Sequence, residues 1–213
     1  IFCVLSTYCL KANKTPNIVL IYADDQGWMD TGYQTKGKFL TPTLDKMVKN
    51  GMTFTNAYTN AANCQPARAC LLSGNYTARH HVFAVNSTNR GPKQKMRLIP
   101  APNRDGLAVE DITIADALRE KGYATGHFGK WHLYTKNGKG GGGALPSQQG
   151  FDVTYDSFGD GELPEGAKGN KPGPRSDPKG VFDLSKQACD FMEVNKDKPF
   201  FVYLAHHAPH GPV

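Results

Sequence analysis

One apolar run near the start of the chain constrains the fold more than any other feature. Between Pro16 and Ala23 nearly every residue is apolar, many are β-branched, and there is no alternation with polar residues. This pattern is typical of a strand buried on both faces, as in a parallel sheet under helices. The segment Lys198–Ala205 has the same character and predicts a second buried strand. The chain is therefore expected to be built on a core sheet.

Helical segments alternate with predicted strands along the rest of the chain. Thr41–Gly51 has an N-terminal cap, a proline at the first helical position, apolar residues at helical spacing and a closing glycine. The other predicted elements are a strand at Met52–Tyr58, a helix at Glu110–Lys121, a strand at Tyr123–Phe128 and a helix at Phe182–Val194. Residues 86–106 predict a loop, and the Gly/Pro-rich residues 136–180 predict a flexible surface segment. The alternation favours an α/β fold with a mostly parallel or mixed sheet.

The composition is that of a globular protein. The chain has 213 residues, of which 39% are hydrophobic, which is enough to bury a sizeable core. Its net charge of +6 is modest and its basic residues are dispersed among acidic ones, so no nucleic-acid partner is expected. The cysteines at positions 64, 70 and 189 match no zinc-binding spacing.

The first residues have the character of an export signal. Ile1–Leu10 is apolar and is followed by Lys11 and Ala12, which indicates the tail of a signal-peptide h-region, too short to span a membrane. Residues 1–15 are expected to be a signal remnant with a short linker. The protein would be periplasmic or secreted in a bacterium, and lysosomal or extracellular in a eukaryote. The chain does not begin with Met, and its last core strand is followed only by residues 206–213, so it is expected to be truncated at both ends.

Cys64 and Arg68 are placed by a predicted helix start. Pro66 lacks an N–H and has a preset φ, so it suits the first helical position and puts Cys64 at or just before the N-terminus. Unsatisfied N–H groups and the helix dipole favour anions there. Arg68 lies about one turn further on, so it can reach residue 64 or an oxyanion bound beside it.

Other candidate residues lie where the predicted strands end, the usual place for ligands in open α/β sheets. Asp24 and Asp25 follow the first strand; they either cap a turn or share a hard divalent cation such as Ca²⁺ or Mg²⁺. Lys130 and His132 follow the middle strand and, on an extended backbone, point the same way with Trp131 opposite. His206, His207 and His210 follow the last strand; one of them is expected to be an acid or anion donor, and a three-histidine metal site is not favoured.

Several of these segments resemble the sequence motifs of a known family and occur in the same order. Cys64-Gln-Pro-Ala-Arg68, with Leu72-Ser-Gly74 behind it, resembles the Cys-x-Pro-Ser/Ala-Arg signature of type I sulfatases, whose cysteine is oxidised to formylglycine. The resemblance covers residues 16–213, because it extends in family order to Pro16–Asp25, Thr41–Asp45, Gly129–His132 and Ala205–Pro212. It implies an alkaline-phosphatase-like α/β/α sandwich, of which this chain is the N-terminal portion with the C-terminal part missing.

The resemblance also implies a site. Asp24 and Asp25 would bind Ca²⁺, less often Mg²⁺, together with the formylglycine made from Cys64. The aldehyde hydrate at position 64 would attack sulfur, and its second hydroxyl would later expel sulfate. Arg68 and Lys130 would stabilise charge on the transferring group.

The two histidines would divide the proton transfers in the same reading. His132 would assist at the hydrate, and His210 would contact sulfate and protonate the leaving oxygen. Further metal ligands and a sulfate-binding lysine would lie beyond residue 213, so residues 16–213 alone are expected to be inactive. The expected partners are a sulfated small molecule or carbohydrate and a formylglycine-generating or anaerobic maturation enzyme.

Two alternatives to a sulfatase are open at this point. A phosphodiesterase or phosphonate hydrolase of the same superfamily would use a similar site for phosphoryl transfer. A catalytically silent anion- or glycan-binding relative would lack the metal ligands that follow residue 213. The joint presence of Cys64, Arg68, Lys130 and His132 argues against the silent relative.

Overall fold

The computed structural model describes residues 15–89, 91–134, 142–157, 176, 177 and 179–211. Residues 1–14 of the predicted signal remnant and much of the segment 136–180 lie outside the described residues. Within them, a 4-stranded sheet has the order β1 (Ile18–Asp24), β4 (Phe200–Pro209), β2 (Ala124–Gly129) and β3 (Val153–Asp156). Every neighbouring pair in this sheet is parallel. The predicted α/β fold with a mostly parallel sheet is confirmed.

Helices connect the strands, and most of them lie close to the predicted positions. They are α1 (Gly32–Thr35), α2 (Pro42–Asn50), α3 (Cys64–Ser73), α4 (Thr77–His80), α5 (Ile114–Glu120) and α6 (Val181–Val194). Short 3₁₀ turns occur at Lys93–Lys95 and Pro146–Gln149. Helix α5 begins at Ile114 rather than Glu110 because Thr113 caps it: its side chain accepts the Asp116 N–H, and the Asp116 carboxylate accepts the Thr113 N–H. None of the helices described is long and apolar enough to cross a membrane.

Helices cover both faces of the sheet, and β4 shows this most clearly. Phe201, Tyr203 and Ala205 belong to a core that includes residues of α3 and α5. Phe200 and its alternate neighbours Val202 and Leu204 pack instead against α6 through Leu184, Ala188 and Phe191. Because side chains alternate along a strand, β4 separates two apolar layers. The layering agrees with the predicted α/β/α sandwich.

The prediction that β1 is buried on both faces is wrong within the described residues. Ile18, Leu20 and Tyr22 pack on the core beneath α3. Val19 and Ile21 point to the opposite face, where they are 44% and 56% exposed. Helix α6 packs on β4 and β2, and the apolar cluster that it forms there includes no residue of β1 among those described.

Two further predictions differ from the structure. Residues 52–58 do not form a strand; Met52, Phe54 and Tyr58 are all largely exposed, so their alternation does not mark a buried face. Conversely, the segment predicted as a surface loop at 136–180 contains β3, which pairs with β2. A strand of only four residues at an edge carries too little periodic signal to be distinguished from loop.

Candidate active site

The strand order brings the predicted site residues to one edge of the sheet. β4 lies between β1 and β2, with Asp24 paired to Pro209 and Gly129 paired to Ala205. Because the three strands are parallel, their carboxyl ends meet at the same edge. The segments carrying Asp24 and Asp25, Lys130 and His132, and His206 to His210 therefore converge.

Helix α3 adds the signature residues to this edge. Cys64 is its first residue, after Asn63 as N-cap, so Cys64 lies at the helix start as predicted. Pro66 is the third helical residue and not the first, and the Ala67 N–H closes the first turn on the Asn63 carbonyl (3.0 Å). Cys64 is half-buried, whereas residues 65–70 are buried. The Gln65 amide donates to the Asp105 carbonyl (2.7 Å), which ties the end of the 86–106 loop to the first turn of α3.

Arg68 is fully buried, and its guanidinium is held by groups from β1 and β4 and by Lys130, the residue after β2. Its Nη1 donates to the Lys130 carbonyl (2.7 Å) and to the Tyr203 hydroxyl (3.2 Å). Its Nη2 lies 3.6 Å from Asp24 Oδ1, and its Cζ lies 5.1 Å from the centre of the Tyr22 ring. Within the described residues its hydrogen bonds go to Lys130 and Tyr203, and not to residue 64, which the sequence predicts as one possible partner.

Asp24 and Lys130 form a buried ion pair in which Lys130 Nζ donates to Asp24 Oδ2. Burial alone would raise the pKa of the Asp24 carboxyl, but the hydrogen bond from Lys130 and the charges of Arg68 and Lys130 outweigh it and lower that pKa. Asp24 is therefore an ionised carboxylate between two buried cations.

A glycine before Lys130 permits this placement. Gly129 has φ +115, and a Cβ there would lie 2.1 Å from the Ala205 carbonyl oxygen. The Lys130 N–H donates to that same carbonyl (2.8 Å), so the backbone after β2 runs against β4. Only a residue without a side chain fits this close approach.

The backbone conformation at His132 differs from the predicted one. Its φ of 60 is left-handed, so the prediction of an extended segment is wrong at this residue. Trp131 is buried as expected, and its indole N–H donates to the Ala144 carbonyl (2.9 Å). Burial, with the nearby charges of Lys130 and Arg68, lowers the pKa of His132 to about 3. His132 is thus a neutral imidazole at neutral pH.

Asp25 and two histidines complete the edge. Asp25 has φ 61 and a 63% exposed side chain, and its Oδ2 lies 3.5 Å from His210 Nε2. The rings of His207 and His210 are 4.9 Å apart. Side-chain ligand atoms of Asp24, His207 and His210 all lie within 4.8 Å of one another. The sequence predicts a role for His210 and none for His207, although a ring nitrogen of His207 also lies within 4.8 Å of an Asp24 carboxylate oxygen.

The acidic residues of this edge suit a hard divalent cation. Asp24 and Asp25 offer carboxylate oxygens from consecutive residues, the donor type that Ca²⁺ and Mg²⁺ prefer. Burial raises the pKa of Tyr22, Arg68 lowers it, and Asp24 and Cys64 raise it, so Cys64 lies within electrostatic reach of the same cluster. Cys70 is buried as a free thiol beside His80 Nε2 (3.4 Å).

Fold and site together define an α/β protein with a buried cluster of one carboxylate and two cations at the carboxyl edge of a parallel sheet. The chain belongs to the Sulfatase family, whose model matches residues 16–213. This confirms the family that the signature around Cys64 and Arg68 indicates.

Named relatives are consistent with that membership. Human arylsulfatase A is 39% identical over 143 residues, covering 67% of this chain and 25% of that protein. Mouse N-acetylgalactosamine-6-sulfatase is 29% identical over 226 residues, covering 95% and 41%. The crystal structure of Ps i-CgsB in complex with k-i-k-neocarrahexaose superposes with a TM-score of 0.68 at 30% identity, covering 93% of this chain and 46% of that one. The chain thus spans between 25% and 46% of the lengths of these proteins.

Proposed function

We propose that the protein containing this chain is a sulfuric ester hydrolase. The observation that carries the proposal is the meeting of Arg68, from the signature helix, with Asp24 and Lys130 at one edge of the sheet. Sulfate esters carry negative charge, and an Arg/Lys pair beside a carboxylate pair is suited to hold such a group with a metal. Membership of the Sulfatase family supports the same reaction.

Two groups that the polypeptide must acquire would complete the site. Asp24 and Asp25, with the modified residue 64, would hold Ca²⁺ or, less often, Mg²⁺, which polarises the sulfuryl oxygens when bound. A formylglycine-generating or anaerobic maturation enzyme would convert Cys64 to formylglycine, and addition of water to that aldehyde would supply the nucleophilic hydroxyl. A position at the start of α3 suits Cys64 for this role, because developing negative charge there faces free N–H groups.

Arg68 and Lys130 stabilise the charge of the transferring group. Both side chains are essentially excluded from water, and hydrogen bonds to charge are stronger in such surroundings than in solvent. Lys130 is aimed by its ion pair with Asp24, and Arg68 by its bond to the Lys130 carbonyl. The two cations therefore need little rearrangement when an anion arrives.

The two histidines take different parts in proton transfer. His132 is neutral at neutral pH, so a ring nitrogen can accept a hydrogen bond from the hydroxyl of the hydrate at residue 64 and assist there. His210 is only partly buried, and Asp25, whose Oδ2 lies 3.5 Å from His210 Nε2, orients its ring. It is the donor to the leaving oxygen.

A sulfated carbohydrate is the proposed substrate class. One relative is named an N-acetylgalactosamine-6-sulfatase, and a solved relative is described in complex with k-i-k-neocarrahexaose. We also infer export, to the periplasm or medium of a bacterium or to the lysosome or exterior of a eukaryotic cell, from the apolar start of the chain. N-terminal sequencing of the mature protein tests this, since retention of Ile1–Leu10 would contradict it.

The central experiment compares matched aryl sulfate and aryl phosphate esters with the full-length protein. Hydrolysis of the sulfate is expected to be faster, and Lys130→Ala should reduce it by roughly 100-fold or more. Lys186→Ala is the control, because Lys186 makes an exposed ion pair with Asp190 on α6. A preference for the phosphate would favour the phosphodiesterase alternative, and hydrolysis of neither would favour a silent binding protein.

Mass spectrometry tests the modification directly. Trypsin cleaves after Arg68, so Cys64 and Cys70 fall in separate peptides. The peptide that ends at Arg68 should carry formylglycine, whereas the peptide that contains Cys70 should retain its thiol as an internal control. An unmodified Cys64 in an active enzyme would contradict the proposed nucleophile.

A further inference from the structure

Two tyrosines contact the Arg68 guanidinium although no part of the signature includes them. Tyr203, on β4, has its hydroxyl 3.2 Å from Arg68 Nη1. Tyr22, on β1, places its ring under the guanidinium, with Cζ 5.1 Å from the ring centre. The two rings lie 6.2 Å apart. The guanidinium therefore has an aromatic face on one side and a phenol at one of its terminal nitrogens.

The guanidinium donors are divided between two edges. Nη1 is occupied, because it donates to both the Lys130 carbonyl and Tyr203. Among the described residues, Nε and Nη2 are buried and have no hydrogen-bond acceptor. Nη2 makes only the longer ion-pair contact with Asp24, at 3.6 Å. The Nε/Nη2 edge can bind two oxygens of one oxyanion at once, and its contact with Asp24 places it at the site.

We infer that Tyr203 and Tyr22 are positioning residues, which hold Arg68 so that its Nε/Nη2 edge grips two oxygens of the bound sulfate. Tyr203 fixes the opposite edge by accepting from Nη1, and Tyr22 fixes the plane through a cation–π contact. Burial raises the pKa of Tyr203 to about 12, so the phenol stays neutral and does not cancel the charge of Arg68. This inference rests on the proposed function.

The packing around Tyr203 supports its role in positioning Arg68. Tyr203 is fully buried, and its ring packs on Phe151 and His127 at centroid distances of 6.2 and 5.7 Å. A ring fixed by such packing keeps its hydroxyl in one place. Removing only the Tyr203 hydroxyl therefore removes one acceptor of Arg68 Nη1, while the phenyl ring still fills the apolar layer.

The test uses the full-length protein and two readouts: binding of inorganic sulfate by calorimetry, and hydrolysis of an aryl sulfate. Tyr203→Phe is expected to weaken sulfate binding about 10-fold, because a hydrogen bond to a charged group is lost. Tyr155→Phe is the matched control, since its hydroxyl donates to Asp183 (2.8 Å) away from the site. Tyr22→Leu should weaken binding about 3-fold, whereas Tyr22→Phe, which keeps the ring, should restore it.

A second background separates positioning from general stability. Arg68→Lys replaces the guanidinium by an ammonium group and so removes the Nε/Nη2 edge. In this background, adding Tyr203→Phe should change sulfate binding no further. Equal losses in the wild-type and Arg68→Lys backgrounds would overturn the inference, as would Tyr203→Phe binding sulfate as well as Tyr155→Phe, or a wild-type protein that binds no sulfate. If wild type binds sulfate in this pattern but hydrolyses no sulfate ester, the proposed function fails and the positioning role stands.

Discussion

Acid is expected to destabilise the fold through His127, a histidine that has no part in the proposed chemistry. Its side chain is completely buried on β2, with the rings of Trp131, Phe151 and Tyr203 at 5.3, 5.6 and 5.7 Å. Burial, reinforced by the charge of Arg68 and partly offset by the Lys130 backbone, lowers the pKa of His127 from 6.5 to about 3. The folded protein therefore keeps this imidazole neutral at mildly acidic pH.

The sign and size of the effect follow from that difference. Below pH 6.5 the unfolded chain binds a proton at His127 and the folded chain does not, so stability is lost as the pH falls towards the folded value near 3. At pH 5 the loss amounts to about 2 kcal/mol relative to pH 7.5, at about 1.4 kcal/mol per pH unit below the unfolded pKa. A phenylalanine at this position has no proton to bind and fills a similar volume.

Urea unfolding of the full-length protein at pH 7.5 and pH 5 measures this difference. His127→Phe should lose about 2 kcal/mol less than wild type between the two pH values. His81→Phe makes the same change at an exposed residue and is the control. Parallel losses in wild type and His127→Phe would refute the reasoning, because they would show that His127 binds protons equally in the folded and unfolded chains.

Three other outcomes are expected. Gly129→Ala should lower the free energy of unfolding by about 2 kcal/mol or more and reduce hydrolysis, because its Cβ would meet the Ala205 carbonyl. Gly211→Ala is the control: the space around Gly211 is open, so urea unfolding and the hydrolysis rate should both stay unchanged. Chelation should abolish aryl sulfate hydrolysis, and added Ca²⁺ should restore it more fully than Mg²⁺; full activity after exhaustive chelation would contradict the metal assignment. Residues 16–213 expressed alone should not turn over an aryl sulfate, and measurable turnover would show that no later residue is needed.

Local signals in the sequence were sufficient for much of the fold. The apolar runs predicted β1 and β4, and capping residues with helical spacing predicted α2 and α6. These predictions depend on side chains that are close in sequence. The exposed half of β1 and the short strand β3 could not be predicted in the same way, because both depend on which elements lie beside them.

Some residues of the site could likewise be predicted from local sequence, and others could not. Cys64, Arg68 and Lys130 were identified from motif residues, and the parallel order of β1, β4 and β2 then explains why they converge. The tyrosines at 22 and 203 were missed because their contact with Arg68 arises from pairing between β1 and β4, strands far apart along the chain. One signal was available: Tyr22 is two residues before Asp24, so an alternating strand turns both side chains to one face.

In the proposed mechanism, different groups carry out anion binding and proton transfer. Asp24, Arg68 and Lys130 are buried together, one anion with two cations, so the group attracts an anion without any protonated histidine. Burial, with the charge of Lys130, lowers the pKa of His132 to about 3 and of His207 to about 4, which keeps both imidazoles neutral at neutral pH. A sulfate ester also keeps its charge throughout this range. Sulfate binding is therefore expected to be independent of pH near neutrality, because none of these groups changes its charge there.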